Sequence, residues 1–363
     1  MRWNWLLIPW WMTGHAMAQT DLPVTTDSSR YDGRLVVAPL IYYQPETSWA
    51  FGGGALYTLT DRLQPDNNPG LLKLLGVYTL ENQVQSELGG DLYFEHNTWY
   101  LSFNFTYYRF PGLFFGIGNE NPAENAESYT VSKPYGRINL VRDVGHHISA
   151  GFKTFYEYTR LVEIAEGGLL DTEDVSGETG GHNTGIGPWL VADTRNDIFY
   201  PTRGWKADLS AVWHDHLLGS DFEYTEVRME FSAFHAVWKQ QVLAWNLLAD
   251  LHPGNPPFNR MAMMGGQFYM RGNFEGRLRD KHLLTTQMEY RVPVWRFIGV
   301  TGFGGIGEVG DALSSFTWSG LRYSYGAGLR LELMPGSNLK LRVDYGFGYD
   351  GDRGLYVQFN EAF

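Results

Sequence analysis

The side chains that most often catalyse reactions or bind metals occur in this sequence without the spacing that such chemistry needs. A nucleophilic serine is expected in a G-x-S-x-G turn, and the sequence contains none. His214-Asp215-His216 and the pair His146-His147 are short histidine clusters, but no further ligands follow at a fixed spacing. We interpret these histidines as interfacial or loop residues. The sequence therefore predicts no enzyme, no metal site and no cofactor.

A second candidate for metal binding is the acidic stretch at 163–178. It contains the carboxylates Glu163, Glu166, Asp171, Glu173, Asp174 and Glu178. Their spacing does not match a calcium-binding loop, in which the ligands recur at fixed positions. We interpret this stretch as solvated surface, with at most weak affinity for divalent cations.

The composition excludes two broad classes of protein. A formal net charge of -12 has the wrong sign for binding nucleic acid, whose phosphates require a basic surface. Beyond the N-terminus, no stretch has the roughly 20 consecutive apolar residues of a membrane-spanning helix. The chain is nevertheless 44% hydrophobic and 16% aromatic, with 43 glycines and no cysteine. A transmembrane β-barrel is compatible with these values, because only every second residue of its strands faces lipid.

The N-terminus has the pattern of an export signal. Arg2 supplies a positive charge, residues 5–12 are largely apolar, and Ala16-Met17-Ala18 forms a small-x-small cleavage site. A short anchor helix is the weaker alternative, because the apolar run is too short to span a bilayer. The predicted organisation is a signal peptide at 1–18, a short periplasmic segment at 19–33 and a barrel at 34–363.

Most of the remaining sequence alternates between apolar and polar residues, as strands with two different environments do. In 338–349, for example, Leu341 and Val343 lie opposite Arg342 and Asp344. Sixteen strands are predicted, at 34–45, 49–60, 71–82, 85–96, 98–110, 128–143, 146–162, 182–194, 204–214, 222–238, 241–252, 282–294, 297–308, 321–334, 338–350 and 354–363. An even number of segments of about ten residues is typical of single-chain bacterial barrels, and it returns both termini to the periplasm.

The lengths of the connections give this predicted barrel a direction. Most connections on one side are short, whereas the long ones fall on the other side, at 111–127, 163–181, 253–281 and 309–320. Bacterial barrels have short periplasmic turns and longer extracellular loops. The asymmetry favours an all-β transmembrane antiparallel barrel over a soluble sandwich, whose strands also alternate.

Three segments resemble one superfamily of bacterial outer-membrane proteins, the surface-antigen or BamA/TamA-type barrels. The segments are a turn motif of Asp193, Arg195, Asp197, Pro201 and Gly204, the stretch FPGLFFGIGN at 110–119, and Met270-Arg271-Gly272-Asn273 in the longest outer loop. They occur in the family's order and extend over nearly the whole mature chain. The resemblance implies a sixteen-stranded barrel of outer-membrane assembly or polypeptide secretion.

In that family the arginine of the loop motif folds back into the lumen and meets acids on the inner wall. The resemblance therefore implies that Arg271 lies inside the barrel, with Gly272 allowing a tight backbone turn beside it. In strand 282–294, Glu289 lies on the polar face, where it would accept a charge-assisted bond from Arg271. The alternative is an exposed loop arginine without a partner, since most surface ion pairs contribute little.

The sequence departs from the family pattern at three points. Asn273 follows the arginine–glycine pair where the family usually has an aromatic residue, and Phe274 comes one step later. Gly305 stands where the next strand commonly carries an acid, and Glu308 is the predicted substitute. The sequence also shows no periplasmic repeat (POTRA) domain, so the role of a full assembly machine does not carry over.

Closure of the predicted barrel would pair 34–45 with 354–363. Pro39 cannot donate a hydrogen bond to a ladder and is usually confined to edges or bulges, and the facing strand is short. These features predict a weak lateral seam; a tolerated bulge in a permanently closed barrel is the alternative. Phe363 resembles the C-terminal recognition signal of outer-membrane proteins, although Glu361 interrupts its pattern.

The predicted function is that of an integral outer-membrane barrel assisting insertion or translocation of polypeptide or lipid, through a lumen-plugging loop and the lateral seam. A passive pore or structural surface antigen is the alternative, and an open aqueous lumen would favour it. The predicted partners are outer-membrane lipid and lipopolysaccharide, a polypeptide or lipid client, and periplasmic chaperones and assembly machinery during biogenesis. The sequence identifies neither the client nor the direction of transport.

Overall fold

A computed structural model describes the chain from Tyr31 onward. The described residues are 31–44, 48–64, 67–80, 82–197, 200–238, 240–332, 340–359 and 361–363. The predicted signal peptide at 1–18 and most of the segment at 19–33 lie outside them. Within this part of the chain, sixteen strands form one antiparallel sheet. No helix among the same residues is long and apolar enough to cross a membrane.

The strands follow one another around the sheet in chain order. They are β1 (Tyr31–Gln44), β2 (Ser48–Asp61), β3 (Gly70–Thr79), β4 (Val84–Phe94), β5 (Trp99–Phe114), β6 (Glu127–Gly145), β7 (Ile148–Glu163), β8 (Gly181–Asp193), β9 (Gly204–His214), β10 (Tyr224–Ala236), β11 (Val242–Leu251), β12 (Ala262–Met263), β13 (Arg279–Asp280), β14 (His282–Trp295), β15 (Ile298–Gly310), β16 (Arg322–Glu332), β17 (Lys340–Phe347) and β18 (Arg353–Phe359). Only β12 and β13 stand apart, as a two-stranded ribbon inside the loop that joins β11 to β14. The meander order means that every barrel strand pairs with its neighbour along the chain.

Helical structure is confined to the connections among the described residues. It consists of α1 (Leu169–Thr172) and short 3-10 turns at Ala123–Asn125, His216–Leu218, Phe258–Arg260, Leu313–Ser315 and Tyr349–Gly351. All of these lie in connections at one end of the sheet, the end that also carries the longest loops. The strands therefore form the scaffold, and this end carries the irregular structure.

The two faces of the sheet differ because successive side chains of a strand point in opposite directions. On β14, Glu289 and Arg291 are buried on the inner face, while Met288 is 48% exposed on the outer face. On β11, Asn246 is buried inside, and Leu247 is 43% exposed outside. Charged residues inside and apolar residues outside are the arrangement of a transmembrane barrel. This confirms the fold class predicted from the alternation.

All sixteen predicted strands are present, with ends displaced by a few residues, but two regions differ from the prediction. The predicted loop 253–281 contains the ribbon of β12 and β13, whose two-residue strands are too short to leave a periodic pattern. The predicted last strand 354–363 is wrong at its end, because β18 stops at Phe359. The residues after β18 make different contacts, described below.

The first and last strands of the sheet order are paired on one side only, within the described residues. β1 pairs with β2 along its entire length, with Pro39 opposite Gly53 and no bulge in the ladder. β18 is 7 residues long and pairs with β17. No register between β1 and β18 is found in the described part of the chain.

Candidate functional site in the barrel lumen

The long loop between β11 and β14 folds back against the inner wall. Its apolar residues join those of the wall in one buried cluster of Leu248, Ala262, Met264, Met270, Leu278, Leu283 and Val309. Met264 and Met270, both from the loop, have no exposed surface. Burying these side chains removes apolar area from water, which stabilises the inward position of the loop.

Arg271 is held inside the barrel by two acids from different strands. One end of its guanidinium donates to Glu289 of β14 and the other to Asp344 of β17. All three side chains are fully buried. The guanidinium also lies over the ring of Phe303, 3.8 Å from its centroid. The structure thus brings together the predicted Arg271 and Glu289, and it adds a second acid.

That second acid is Asp344, and the expectation that Glu308 would supply it is wrong. Glu308 instead accepts a hydrogen bond from the backbone N–H of Thr317, at 3.1 Å. Gly305, where the family has an acid, leaves room beside the loop: a Cβ there would lie 3.1 Å from the sulfur of Met270. The loop therefore packs over β15 at this point and takes its carboxylate from β17.

The Arg271 contacts belong to a larger buried network, which we call the lumen cluster. It consists of Arg271, Arg291, Arg330, Arg342, Glu289, Asp344 and Glu361. Arg291 bonds Glu289 at 2.8 Å, Arg330 bonds Asp344 at 2.5 Å, and each acid is shared by more than one arginine. Removing charges from water is costly, so such a network is stable only while the opposite charges remain paired.

The backbone next to Arg271 requires glycine. Gly272 has φ +109°, and a Cβ at this position would lie 2.5 Å from the carbonyl carbon of Phe347. The N–H of Gly272 donates to the hydroxyl of Tyr356 on β18, at 2.9 Å. Asn273, a departure from the family pattern, accepts a hydrogen bond from the N–H of Tyr349 at 2.8 Å. The loop is therefore bound to the last two strands as well as to β14.

The second resembling segment, 110–119, covers the base of this loop at the long-loop end of the barrel. The N–H of Gly118 donates to the carbonyl of Arg279 at 2.7 Å. The ring of Phe115 packs edge-on against Phe274, with centroids 5.3 Å apart. Phe274, which comes one residue after the position where the family usually has an aromatic side chain, thus contacts the segment 110–119.

The turn motif between β8 and β9 lies at the opposite end of the barrel. Asp193 accepts a bidentate pair of hydrogen bonds from Arg195, at 2.7 and 2.9 Å. Asp197 accepts from the backbone N–H of Tyr200 at 2.8 Å. Gly204 has φ +95°, and a Cβ there would lie 2.3 Å from the carbonyl oxygen of Thr194. These contacts fix the turn in one conformation.

The same turn reaches toward the lumen cluster. Pro201 is buried, and the ring of the preceding Tyr200 lies 3.2 Å from the ammonium of Lys340 and 5.8 Å from the guanidinium of Arg291. The ring therefore lies beside cations of the inner wall. The turn thus lies next to Arg291, while the loop motif contacts Glu289 and Asp344 of the same network.

Phe363 was predicted to lie at the seam, and the structure places it in the lumen. Its ring packs against Phe234 of β10 with centroids 6.4 Å apart, and its carbonyl accepts from Arg291 at 3.2 Å. Glu361 accepts from Arg330 at 2.7 Å. Turning inward pairs the Glu361 carboxylate with buried arginines, which explains why β18 ends early. Pro39, the other predicted seam residue, lies on the edge strand β1.

Comparison with known proteins places this arrangement in a family. The model of the Omp85 superfamily domain matches residues 77–363. The chain belongs to the Omp85 superfamily. It is an integral outer-membrane β-barrel, as predicted from the alternation and the three motifs. No curated protein sequence matches it.

Several solved structures have a similar fold. The BamA of Haemophilus ducreyi lacking POTRA domains 1-3 has a TM-score of 0.58 at 15% identity, covering 95% of this chain and 73% of that one. CdiB of Acinetobacter baumannii has a TM-score of 0.56 at 12% identity, covering 90% and 57%. CdiB of Escherichia coli has a TM-score of 0.54 at 9% identity, covering 90% and 60%. This Omp85 barrel therefore spans less than two thirds of either CdiB chain.

The histidines singled out in the sequence lie apart from the lumen cluster of this Omp85 barrel. His214 is buried on the inner face and stacks on Tyr224 with centroids 4.2 Å apart. His216 lies in the exposed turn after β9, and His146 and His147 form the exposed turn before β7. Within the described ranges, no group of three or more histidine or acidic side chains has the arrangement of a metal site.

Proposed function

We propose that this Omp85 barrel assists the insertion or translocation of polypeptide or lipid at the outer membrane, without catalysing a reaction. In this proposal the long loop is the resident plug of the lumen, and the boundary between β1 and β18 is the side through which a client reaches the bilayer. The barrel itself would depend on periplasmic chaperones and assembly machinery during its biogenesis. The observation that carries the proposal is the attachment of the loop to the strands that precede this boundary.

The position of the loop supports a plug rather than a passive channel. A porin-type barrel keeps a water-filled lumen. Here Arg271 has 1% of its surface exposed, and Met264 and Met270 have none. Moving the loop out would expose these apolar side chains and separate the buried ion pairs, so the loop is not a loosely tethered surface segment.

The one-sided pairing of the edge strands supports a lateral exit. The β1–β2 ladder is 14 residues long, whereas β18 has 7 residues in total. Pro39 also removes one donor from β1. A lost ladder hydrogen bond costs about 1 kcal/mol, and inside lipid no water replaces it. Separation at this boundary is therefore less costly than at a long ladder such as that between β6 and β7.

A direct contact links the plug to this boundary. Tyr356 of β18 accepts the hydrogen bond from the N–H of Gly272, next to Arg271. Glu361, just after β18, bonds Arg330 of the lumen cluster. Movement of the loop would consequently change the support of the last strand. This coupling is the physical means by which the plug could control the exit.

The test is a disulfide across the boundary, in a chain that naturally has no cysteine. Cysteines replacing Val37 and Val357 would join β1 to β18. Each of two matched controls keeps one of these cysteines and places the second on the strand that pairs with it in the structure. The control pairs are Val37 with Ala55 across β1–β2, and Val343 with Val357 across β17–β18. The controls cross-link strands that remain together during lateral opening.

Cells depleted of the native protein would express each variant, and their outer-membrane proteins and lipids would then be quantified. We expect the β1–β18 cross-link to reproduce the depletion phenotype, reduction to reverse it, and both controls to support normal composition. Normal composition with the β1–β18 cross-link formed would reject the lateral exit. A passive pore or structural antigen would then be favoured, especially if the purified barrel conducts ions steadily.

A further inference from the structure

A depression in the outer, lipid-facing wall extends across strands β3 to β8. Its volume is about 750 Å³, within the range of roughly 300–1,000 Å³ typical of ligand sites. Its lining is almost entirely apolar and includes Leu88, Phe105 and Tyr156 from the strands. Leu218 from the connection between β9 and β10 borders it, which places it toward the long-loop end of the barrel.

The strand register explains why the wall is recessed here. Cross-strand partners share a face of the sheet, and one continuous row runs Leu74, Leu88, Phe105, Gly136, Tyr156 and Thr184. Gly136 contributes no side chain between the 45%-exposed Phe105 and the 42%-exposed Tyr156. A Cβ at Gly136 would lie 2.9 Å from the Phe105 ring, so the ring leans over the glycine. The result is a recess bounded by aromatic rings.

A pair of arginines lies on the same outer face, closer to the long loops. Arg109 of β5, Ser132 of β6 and Arg160 of β7 form one cross-strand row. This row is four residues beyond Phe105, Gly136 and Tyr156, and an even separation keeps the side chains on the same face. Four residues correspond to about 13 Å along a strand. Among the described residues, no carboxylate forms an ion pair with either arginine.

The residues between the recess and the arginines are those of a membrane interface. Tyr107 lies between Phe105 and Arg109 on β5, and its hydroxyl is 3.0 Å from the hydroxyl of Ser132. Tyrosine is enriched where the hydrocarbon region meets the headgroups. Along this direction the outer wall therefore changes from apolar, through aromatic, to cationic. The order is that of an acyl chain, a glycerol or sugar backbone, and a phosphate.

We infer that this surface binds a phosphorylated, multiply acylated lipid of the outer leaflet. One acyl chain would lie in the recess beside the Phe105 ring, and a phosphate would lie between Arg109 and Arg160. Strands two apart are separated by roughly 10 Å, a gap that two arginine side chains can close around one phosphate. Arginine binds phosphate oxygens with paired, charge-assisted hydrogen bonds. In a chain of net charge -12, this cationic pair favours an anionic lipid locally.

The test is binding of defined lipids to the purified barrel, measured by native mass spectrometry in detergent. The probe is an acylated glucosamine disaccharide carrying two phosphates, compared with its dephosphorylated form, with phosphatidylethanolamine and with inorganic phosphate. The double variant Arg109→Gln/Arg160→Gln removes the cations. Arg142→Gln is the matched control, because Arg142 is an exposed residue on the same face of β6 at the other end of the barrel.

A further variant, Thr184→Phe, would fill the recess without changing charge. We expect the double variant to bind the phosphorylated lipid about tenfold more weakly, because it loses the charge-assisted hydrogen bonds from the two arginines to the phosphate. Thr184→Phe should also weaken binding, and Arg142→Gln should not. Equal binding of the dephosphorylated lipid, or an equal loss in Arg142→Gln, would overturn the inference. Binding of inorganic phosphate alone with the same arginine dependence would reject the acyl-chain recess.

Discussion

The inner wall of the barrel carries ion pairs that differ in burial. On β7 and β9, Lys153 lies 3.5 Å from Asp208, with 24% and 16% of the side chains exposed. The loop reaches this part of the wall as well, where Asn259 donates to Glu157 of β7, but it leaves the Lys153–Asp208 pair partly exposed. The side chains of Arg271 and Glu289, in contrast, have no exposed surface.

Burial changes what such a pair does for the protein. A partly exposed pair contributes about 0–1 kcal/mol, because water solvates each charge when its partner is removed. A fully buried pair costs much more to break than it contributes in net stability, because the remaining charge has no solvent. We therefore expect the lumen cluster to specify one position of the loop rather than to add much net stability.

The largest expected effect is that of removing Arg271. Arg271→Ala removes the contacts of the loop to Glu289 and Asp344, which keep Arg291 and Arg330 as partners, so we expect a loss of roughly 3 kcal/mol in the free energy of unfolding, the lower end for breaking a buried pair. Lys153→Ala, in the partly exposed pair with Asp208, should cost about 1 kcal/mol or less. Urea unfolding of the purified barrels in detergent measures both. Equal losses in the two variants would remove the distinction between the buried pair and the partly exposed pair.

A double-mutant cycle sharpens this result. Glu289→Gln should show a similar defect, and the combination with Arg271→Ala should cost less than the sum of the single changes. Sites that do not interact usually add within about 0.5 kcal/mol. Additivity within that margin would reject the contact, whatever the size of the single effects.

A smaller effect is expected from the glycine beside Arg271. Gly272→Ala forces a Cβ into a positive-φ position and against the backbone of Phe347, so we expect a loss of about 1–3 kcal/mol in stability. Gly351→Ala is the matched control: Gly351 also has positive φ, at +80°, but no atom lies within 4 Å of its added Cβ. The difference between their urea midpoints isolates the close approach of the loop to β17. A larger loss of stability in Gly351→Ala than in Gly272→Ala would contradict this close approach.

The smallest effect on stability is expected from single cysteines in exposed connections. Asp171 and Ser314 lie in long connections from the two sides of the wall, and Arg296 lies in the short turn between β14 and β15. Surface substitutions usually change stability by less than about 0.5 kcal/mol. We expect an impermeant thiol reagent to label the first two positions on intact cells and not the third. Labelling of position 296 alone would show that the barrel has the opposite orientation in the membrane.

Local patterns in the sequence were sufficient to predict the sheet. Alternation with period two assigns each side chain to a face, and loop lengths separate the two ends of a barrel. Both are properties of contiguous residues, so all sixteen strands and the inward face of Glu289 could be predicted. The Arg271–Glu289 contact could be anticipated because a family motif supplied the path of the loop.

Contacts across the lumen were decided by the tertiary structure. Asp344 is 73 residues from Arg271 in the sequence, and the alternation placed it on a polar face without indicating which cation it would meet. The choice of Asp344 over Glu308 depends on the register of β15 to β17 and on Met270 packing beside Gly305. The inward turn of Phe363 likewise depends on arginines from β14 and β16. A buried charge requires a partner, and which partner lies within reach is set by the order and register of the strands rather than by any local pattern.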